Sequence, residues 1–219
     1  MRYFHSRSAI LVLVDVINYV KNCPIKHFNK GEVVISEGDI SDTLLAIRSG
    51  FIKVTSLDNE GNERMLWIAG RYDIVPTERL FSRHSPLQFF YTALSDCDVY
   101  QINKADFLAK AKSDVKLMTE IATSMSSHYD DLLARVNSIG QTSVHEKLVA
   151  TLRYVAERFS AEESVDFYQL GLHLTHKDLA EMVGSTRETI SLELQKLKKS
   201  GSVDYDRHQF IVHTDKCIL

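Results

Sequence analysis

Arg187 and Glu188 stand side by side, Ser191 follows one helical turn later, and Lys196, Lys198 and Lys199 lie beyond them. A guanidinium can bond guanine O6 and N7 together, or hold a phosphate. A carboxylate can accept from cytosine N4, and a hydroxyl can bond a base or a phosphate. Ammonium groups at the far end suit phosphates. This is the chemistry of reading a surface, not of breaking a bond. Two other readings compete. Glu188 can be the third-position partner of a Ser185 capping box, and the lysines can be a solvated helix end favoured by the macrodipole.

Those side chains need a helix, and the segment around them supplies two. Thr175 followed three residues later by Asp178 resembles a capping box with Asp in place of the usual Glu or Gln, so a helix starts there. Leu179, Ala180 and Val183 form its buried face, and Gly184 closes it. Ser185 or Thr186 caps a second helix whose inner face is Ile190, Leu194 and Leu197. Two short helices joined by a three- to four-residue turn with Gly make a helix-turn-helix. The N-terminal residues of the second helix then reach base edges in the major groove. Thr175, Ser185 and Thr186, hydroxyls at the two helix starts, join Arg187, Glu188, Ser191, Lys196, Lys198 and Lys199 as candidate DNA contacts. Leu192 cannot donate a hydrogen bond and suits a thymine methyl. After Gly201, Val203-Asp204-Tyr205 and Gln209 to Val212 alternate around Asp206-Arg207-His208, a hairpin or wing.

The bulk composition gives no such signal. The 219 residues carry a net charge of -3. Residues 141–219 hold 10 Lys+Arg against 12 Asp+Glu, a net of -2, so binding to DNA must come from local placement of charge. Cys23, Cys97 and Cys217 are odd in number and scattered, which argues against a disulfide framework and for a reducing, cytoplasmic compartment. No Cys-x-x-Cys pair exists, and His5, His27 and His84 are isolated, so neither a metal site nor a cupin-type metalloenzyme is expected, and no catalytic residue is assigned. The apolar run Ala9 to Val14 is too short to span a bilayer. It reads as an amphipathic helix packed on the segment after it, with no membrane contact.

From about Pro24 to Ile102, short apolar runs alternate with glycine and acidic breaks, the texture of an all-β roll. No Gly or Pro occurs between Asn103 and Ile139. Met118, Ala122, Met125, Tyr129, Leu132, Val136 and Ile139 then alternate in steps of four and three, an a/d seam for a homodimer. A helix over Val115–Ile139 is roughly 37 Å long, and Gly140 ends it. Val144, Leu148, Leu152, Val155 and Phe159 share one face of another helix, and Ser160 to Asp166 reads as a loop. The expected fold is α+β: a sensor β-roll over 1–114, a dimerisation helix over 115–140 and a winged helix-turn-helix over 141–219.

At Leu179-Ala180, Val183-Gly184 and Thr186-Arg187-Glu188-Thr189-Ile190-Ser191, followed by the hairpin, the chain resembles the Crp/Fnr family of bacterial regulators. Phe28, Gly31, Glu32, Ile35, Glu37-Gly38-Asp39, Ile47, Ser49-Gly50, Gly61 and Gly70 look like that family's effector-domain β-roll. The resemblance implies a cyclic-nucleotide-binding-like sensor, a long dimerisation helix and a DNA-binding domain, in this order. A two-fold dimer presenting two recognition helices is expected to prefer an inverted repeat in double-stranded DNA, with RNA polymerase as a candidate further partner. Arg187 and Glu188 occupy base- or phosphate-contacting positions, and Ser191 fits a base-contact position of the Fnr-like branch. Leu192 departs from the pattern, because both branches often carry Arg there, and this puts the usual TGA-type half-site in question.

Nucleotide-binding relatives carry Gly-Glu-Leu before, and Arg-Ser/Thr-Ala after, a short helix in the roll. Here those segments align with Pro76-Thr77-Glu78 and Leu87-Gln88-Phe89, so Thr77 and Leu87 replace the ribose-binding Glu and the phosphate-binding Arg. Arg79 and Arg83 are the available substitutes. Cyclic AMP is therefore not the expected effector, and the cofactor or effector stays unnamed. Thr77, Arg79, Phe81, Leu87, Phe89 and Tyr91 form the candidate effector pocket, apolar and aromatic in character, with ordinary core as the plainer reading. A module that senses an effector and regulates a partner protein without touching DNA is the alternative function.

Overall fold

The computed structural model describes residues 13–39, 42–81, 87–164, 166–206 and 209–213. Several sequence expectations lie outside these residues: most of the Ala9 to Val14 run, His5, Arg83, His84, Cys217 and the wing-tip pair Arg207-His208. The chain divides into two compact units, Leu11–Asp130 and one that includes Asp131–Leu219.

In the first unit, α1 (Val14–Val20) precedes eight strands: β1 (Ile25–Phe28), β2 (Val33–Ile35), β3 (Thr43–Ser49), β4 (Ile52–Leu57), β5 (Glu63–Ala69), β6 (Ile74–Val75), β7 (Phe90–Ala93) and β8 (Cys97–Asn103). They form two four-stranded antiparallel sheets, in orders β1-β8-β3-β6 and β2-β7-β4-β5. The inward residues Ile52, Val54, Ile68, Val75, Val99 and Ile102 are fully buried, so the predicted roll is present. Gly50 shows why glycine marks its turns. Its φ is +82°, and a Cβ there would lie 2.3 Å from the Asp96 carbonyl oxygen, so no other residue fits without rearrangement.

The roll continues into α2 (Lys104–Ser113) and α3 (Val115–Ile139). Asn103 caps α2 by accepting from the Asp106 amide. Val16 and Val20 of α1, Phe107 and Ala111 of α2, and Leu117 and Ile121 of α3 share one apolar cluster with Leu44 and Ile102. The Glu120 carboxylate of α3 accepts from the amides of Asp15 and Val16, so α3 supplies the cap that α1 lacks from its own residues.

The second unit holds α3 from Asp131 onward, α4 (Val144–Phe159), β9 (Ser160–Glu163), β10 (Phe167–Leu170), α5 (His176–Val183), α6 (Arg187–Lys199), β11 (Val203–Asp206) and β12 (Gln209–His213). Its sheet order is β11-β12-β10-β9. The loop expected over Ser160 to Asp166 is in part a strand: β9 pairs with β10 as an edge. Its residues are almost all exposed, so no alternation of apolar and polar residues announced it. A buried polar knot ties the end of α3 to the helices after it. Arg135, 5% exposed, donates to Ser138 Oγ, Thr151 Oγ1 and the Met182 carbonyl oxygen, and Arg158 pairs with Asp131. Desolvation lowers the Arg135 pKa to about 10.

Candidate nucleic-acid interface

The helix pair is closed at each end by the residues the sequence singled out. Thr175 and Asp178 form a reciprocal capping box at the start of α5. Gly184 ends α5 with φ 72°, and its amide donates to the Ala180 carbonyl oxygen. Of the two candidate caps of α6, Thr186 takes the role, its hydroxyl accepting from the Thr189 amide. Glu188 therefore sits at the second position of α6, not the third, and the capping-box reading of its carboxylate does not occur. It is exposed, and forms no hydrogen bond or ion pair among the described residues.

Ile190, Leu194 and Leu197 are buried, while Arg187, Glu188 and Leu192 stand on the open face, Leu192 at 60% exposure. An amphipathic helix that leaves a leucine in solvent between charged residues presents a mixed hydrogen-bonding and apolar strip. Ser191 is half-buried, with its hydroxyl 2.8 Å from the Arg187 carbonyl oxygen and 2.8 Å from His176 Nδ1.

The lysines are not equivalent. Lys196 donates to Glu193, which also meets His145 of α4 at 2.9 Å. Lys196 first, and then His145, hold the Glu193 carboxyl below its usual value. Lys198 pairs with Asp204 and donates to the Tyr205 carbonyl oxygen, and it lies 4.8 Å from the Tyr205 ring centre. The Asp204 contact raises the Lys198 pKa. Lys199 is exposed with no such partner among the described residues.

Sequence reasoning missed His176, His145, Glu193 and Asp204. Each acts through a partner on another element, which local spacing does not reveal.

Along α3 the predicted seam separates into two rows. Ala122, Tyr129 and Val136, each seven residues apart, are exposed, Tyr129 and Val136 at 61%, and Val115, outside the predicted seam, continues their row. Met118, Met125 and Leu132 are half-buried, and both methionines lean on the apolar cluster of their own unit. Ile139 is 44% exposed. Leu133, outside the predicted seam, is 49% exposed.

Two family models match the chain, the cyclic nucleotide-binding domain over residues 25–114 and the Crp-like helix-turn-helix domain over residues 146–217. The anaerobic regulatory protein of Bacillus subtilis is 25% identical over 203 residues, covering 92% of this chain and 85% of its own. The cAMP-activated global transcriptional regulator CRP of Salmonella typhimurium is 20% identical over 195 residues, covering 89% and 92%. A solved structure, a cyclic nucleotide-binding domain containing protein from Listeria monocytogenes, superposes with a TM-score of 0.77 at 18% identity, over 94% of this chain and 97% of its own.

The chain belongs to the Crp/Fnr family of DNA-binding transcription regulators. That membership does not favour the alternative of an effector module that leaves DNA alone. Members of the family act as dimers. They are regulators, which are generally not enzymes. Among the described residues, no helix is long and apolar enough to cross a membrane.

Within this Crp/Fnr chain, the six candidate effector-pocket residues go to different places. Arg79, 3% exposed, donates to the Asp39 carbonyl oxygen at 2.6 Å. The Leu87 amide donates to the same oxygen, and Leu87 is 5% exposed. Tyr91 is fully buried, and its hydroxyl donates to Glu78 at 2.8 Å. Burial first, and then the Glu78 charge, raise its pKa. The Thr77 hydroxyl donates to the Ile74 carbonyl oxygen. Phe89 is half-buried and Phe81 is 51% exposed. Of the six, only Thr77 lines a small cavity of about 20 Å³ that also touches Trp67, Tyr72, Met125 and His128. That is room for about one water.

Proposed function

We propose that this chain acts as a homodimer that reads an inverted repeat in double-stranded DNA, with α6 in the major groove of each half-site. The observation that carries the reading is the first turns of α6. Arg187, Glu188 and Leu192 are exposed there, on a helix anchored by Ile190, Leu194 and Leu197. A two-fold dimer presents two such helices, and half-sites about one turn, roughly 34 Å, apart follow from that symmetry. Arg187 holds guanine or a phosphate, Glu188 accepts from cytosine N4, and Leu192 packs on a thymine methyl. Thr175, Ser185 and Thr186 position the backbone, and Lys199 contributes the freest positive charge at the far end. The exposed row from Val115 to Val136 is the proposed interface, and the domains are the roll over 1–114, the helix over 115–140 and the reader over 141–219. The protein works in the cytoplasm, is not an enzyme, and meets RNA polymerase at the promoters it binds.

Cyclic AMP is not the proposed effector. Thr77 and Leu87 offer neither a carboxylate nor a guanidinium, and the nearby Arg79 guanidinium already bonds the Asp39 backbone. A phosphate held there would lack its charged partner.

Selection of duplexes from a random pool by the full chain tests the reading. A palindromic motif with two half-sites one turn apart is the expected product. Salt-sensitive binding with no enriched motif would overturn it.

A further inference from the structure

Ser191 has one proton and two lone pairs to distribute. Its hydroxyl lies 2.8 Å from the Arg187 carbonyl oxygen, one turn back on α6, and 2.8 Å from Nδ1 of His176 at the start of α5. Both contacts are hydrogen bonds at once only if the hydroxyl proton goes to the Arg187 carbonyl oxygen, which can only accept. The second contact is then satisfied when His176 Nδ1 carries a hydrogen and donates to Ser191 Oγ. One lone pair of Ser191 remains for anything outside the protein.

The imidazole is held for this by the wing. Its ring meets Tyr205 edge-on, with centroids 5.7 Å apart and planes at 80°, and Tyr205 lies 5.3 Å from the fully buried Phe210. Helices α5 and α6 thus meet at one hydroxyl, and the hairpin packs on the imidazole that reaches it. Nothing in the helix cap needs this contact, since Thr175 and Asp178 complete the cap of α5 by themselves.

We propose that His176 is a positioning residue that makes Ser191 an acceptor toward DNA, so that Ser191 reads an exocyclic amine, N6 of adenine or N4 of cytosine. This deepens the proposed function and rests on α6 lying in the major groove. Without a donor at His176, the Arg187 carbonyl oxygen alone holds the Ser191 hydroxyl, which can exchange that bond to turn its proton toward guanine O6, N7 or thymine O4. With it, the readers of the first two turns beside Arg187 are two acceptors, Glu188 and Ser191, and one apolar side chain, Leu192.

The experiment measures affinity of the full chain for a duplex taken from the random-pool selection, at one salt concentration. The base pair facing Ser191 is the one whose preference disappears in Ser191→Ala. Its adenine or cytosine is then replaced by purine or 2-pyrimidinone, which lack the amine. The wild type should lose about 3- to 10-fold in affinity, the worth of one hydrogen bond, and Ser191→Ala should lose none. His176→Phe keeps a ring against Tyr205 but cannot donate, and should also be blind to the missing amine. His176→Asn places an amide donor near the Nδ1 position and should restore the discrimination, which a merely structural role would not require. Full discrimination by His176→Phe overturns the proposal, as does an Asn variant that behaves like Phe, or a selected base that offers Ser191 only an acceptor. A wild type that enriches no motif fails earlier and sinks the DNA-reading assignment itself.

Discussion

The Lys198 ammonium stands 2.9 Å from the Asp204 carboxylate, which ties the last turn of α6 to the first strand of the wing. Lys199, its neighbour, has no such tie among the described residues. A lysine already neutralised by its own protein releases fewer counterions when it meets a phosphate. Replacing Lys199 with Ala should therefore reduce the slope of log affinity against log salt by about 1. Lys198→Ala should change that slope less. Fluorescence anisotropy across a salt series separates them. Equal changes would show that the Lys198–Asp204 pair opens on DNA.

Thr186 and Glu188 stand two residues apart at the start of α6 but carry different burdens. Thr186 caps α6, so Thr186→Ala should cost about 1 kcal/mol of stability and lower the melting temperature. Glu188 forms no intrachain bond among the described residues, so Glu188→Ala should leave melting nearly unchanged. It should instead relax discrimination at one base pair per half-site by about 1–3 kcal/mol. Selection with both variants, read beside their melting curves, checks the pair. An unaltered motif from Glu188→Ala would remove it from the base readers.

The exposed row of α3 makes a sharper dimer test than the half-buried one. Tyr129 and Val136 are each 61% exposed, so glutamates there burden only a partner surface. Light scattering on Tyr129→Glu/Val136→Glu should report monomer with an unchanged circular dichroism spectrum, because like charges would be buried across a two-fold axis. Glutamate at Met125 would also damage the apolar cluster of its own unit and so confuse folding with assembly.

Calorimetry with cyclic AMP should show no saturable heat at micromolar concentrations. Arg79→Ala should act on folding. It removes a donor from the Asp39 carbonyl oxygen inside the roll, and should cost on the order of 1–3 kcal/mol in chemical denaturation. A 1:1 binding heat abolished by Arg79→Ala would instead make that guanidinium a phosphate ligand.

Cys97 is 1% exposed, and burial, followed by the charges of Asp98, Asp96 and Glu32, pushes its thiol up to about 11. The thiolate is the reactive form, so almost none exists at neutral pH. A thiol reagent at pH 7 should leave Cys97 unmodified in the folded protein and label it in denaturant. Rapid labelling in the folded state would point to a redox role for Cys97.

Much of this protein is written locally. The capping box at Thr175, the glycine at 184, the buried faces of α5 and α6, the limits of α3 and the short strands of the roll all follow from spacing and turn chemistry within a few residues. These features depend on backbone geometry that neighbours in the chain impose on one another, so periodicity and caps expose them. Other decisions belong to packing between distant segments. The split of the α3 seam depends on α1 and the roll drawing in Met118 and Met125 and leaving Tyr129 outside. The edge strand β9 exists because β10 offers it hydrogen bonds, not because its polar residues alternate. Arg135 finds the Met182 carbonyl oxygen, and His176 finds Ser191, across 47 and 15 residues of chain. Such pairs are set by the angle at which one helix crosses another. A sequence read by local period carries no measure of that angle, so whether a polar side chain faces the groove or a neighbouring helix was decided only by the tertiary structure.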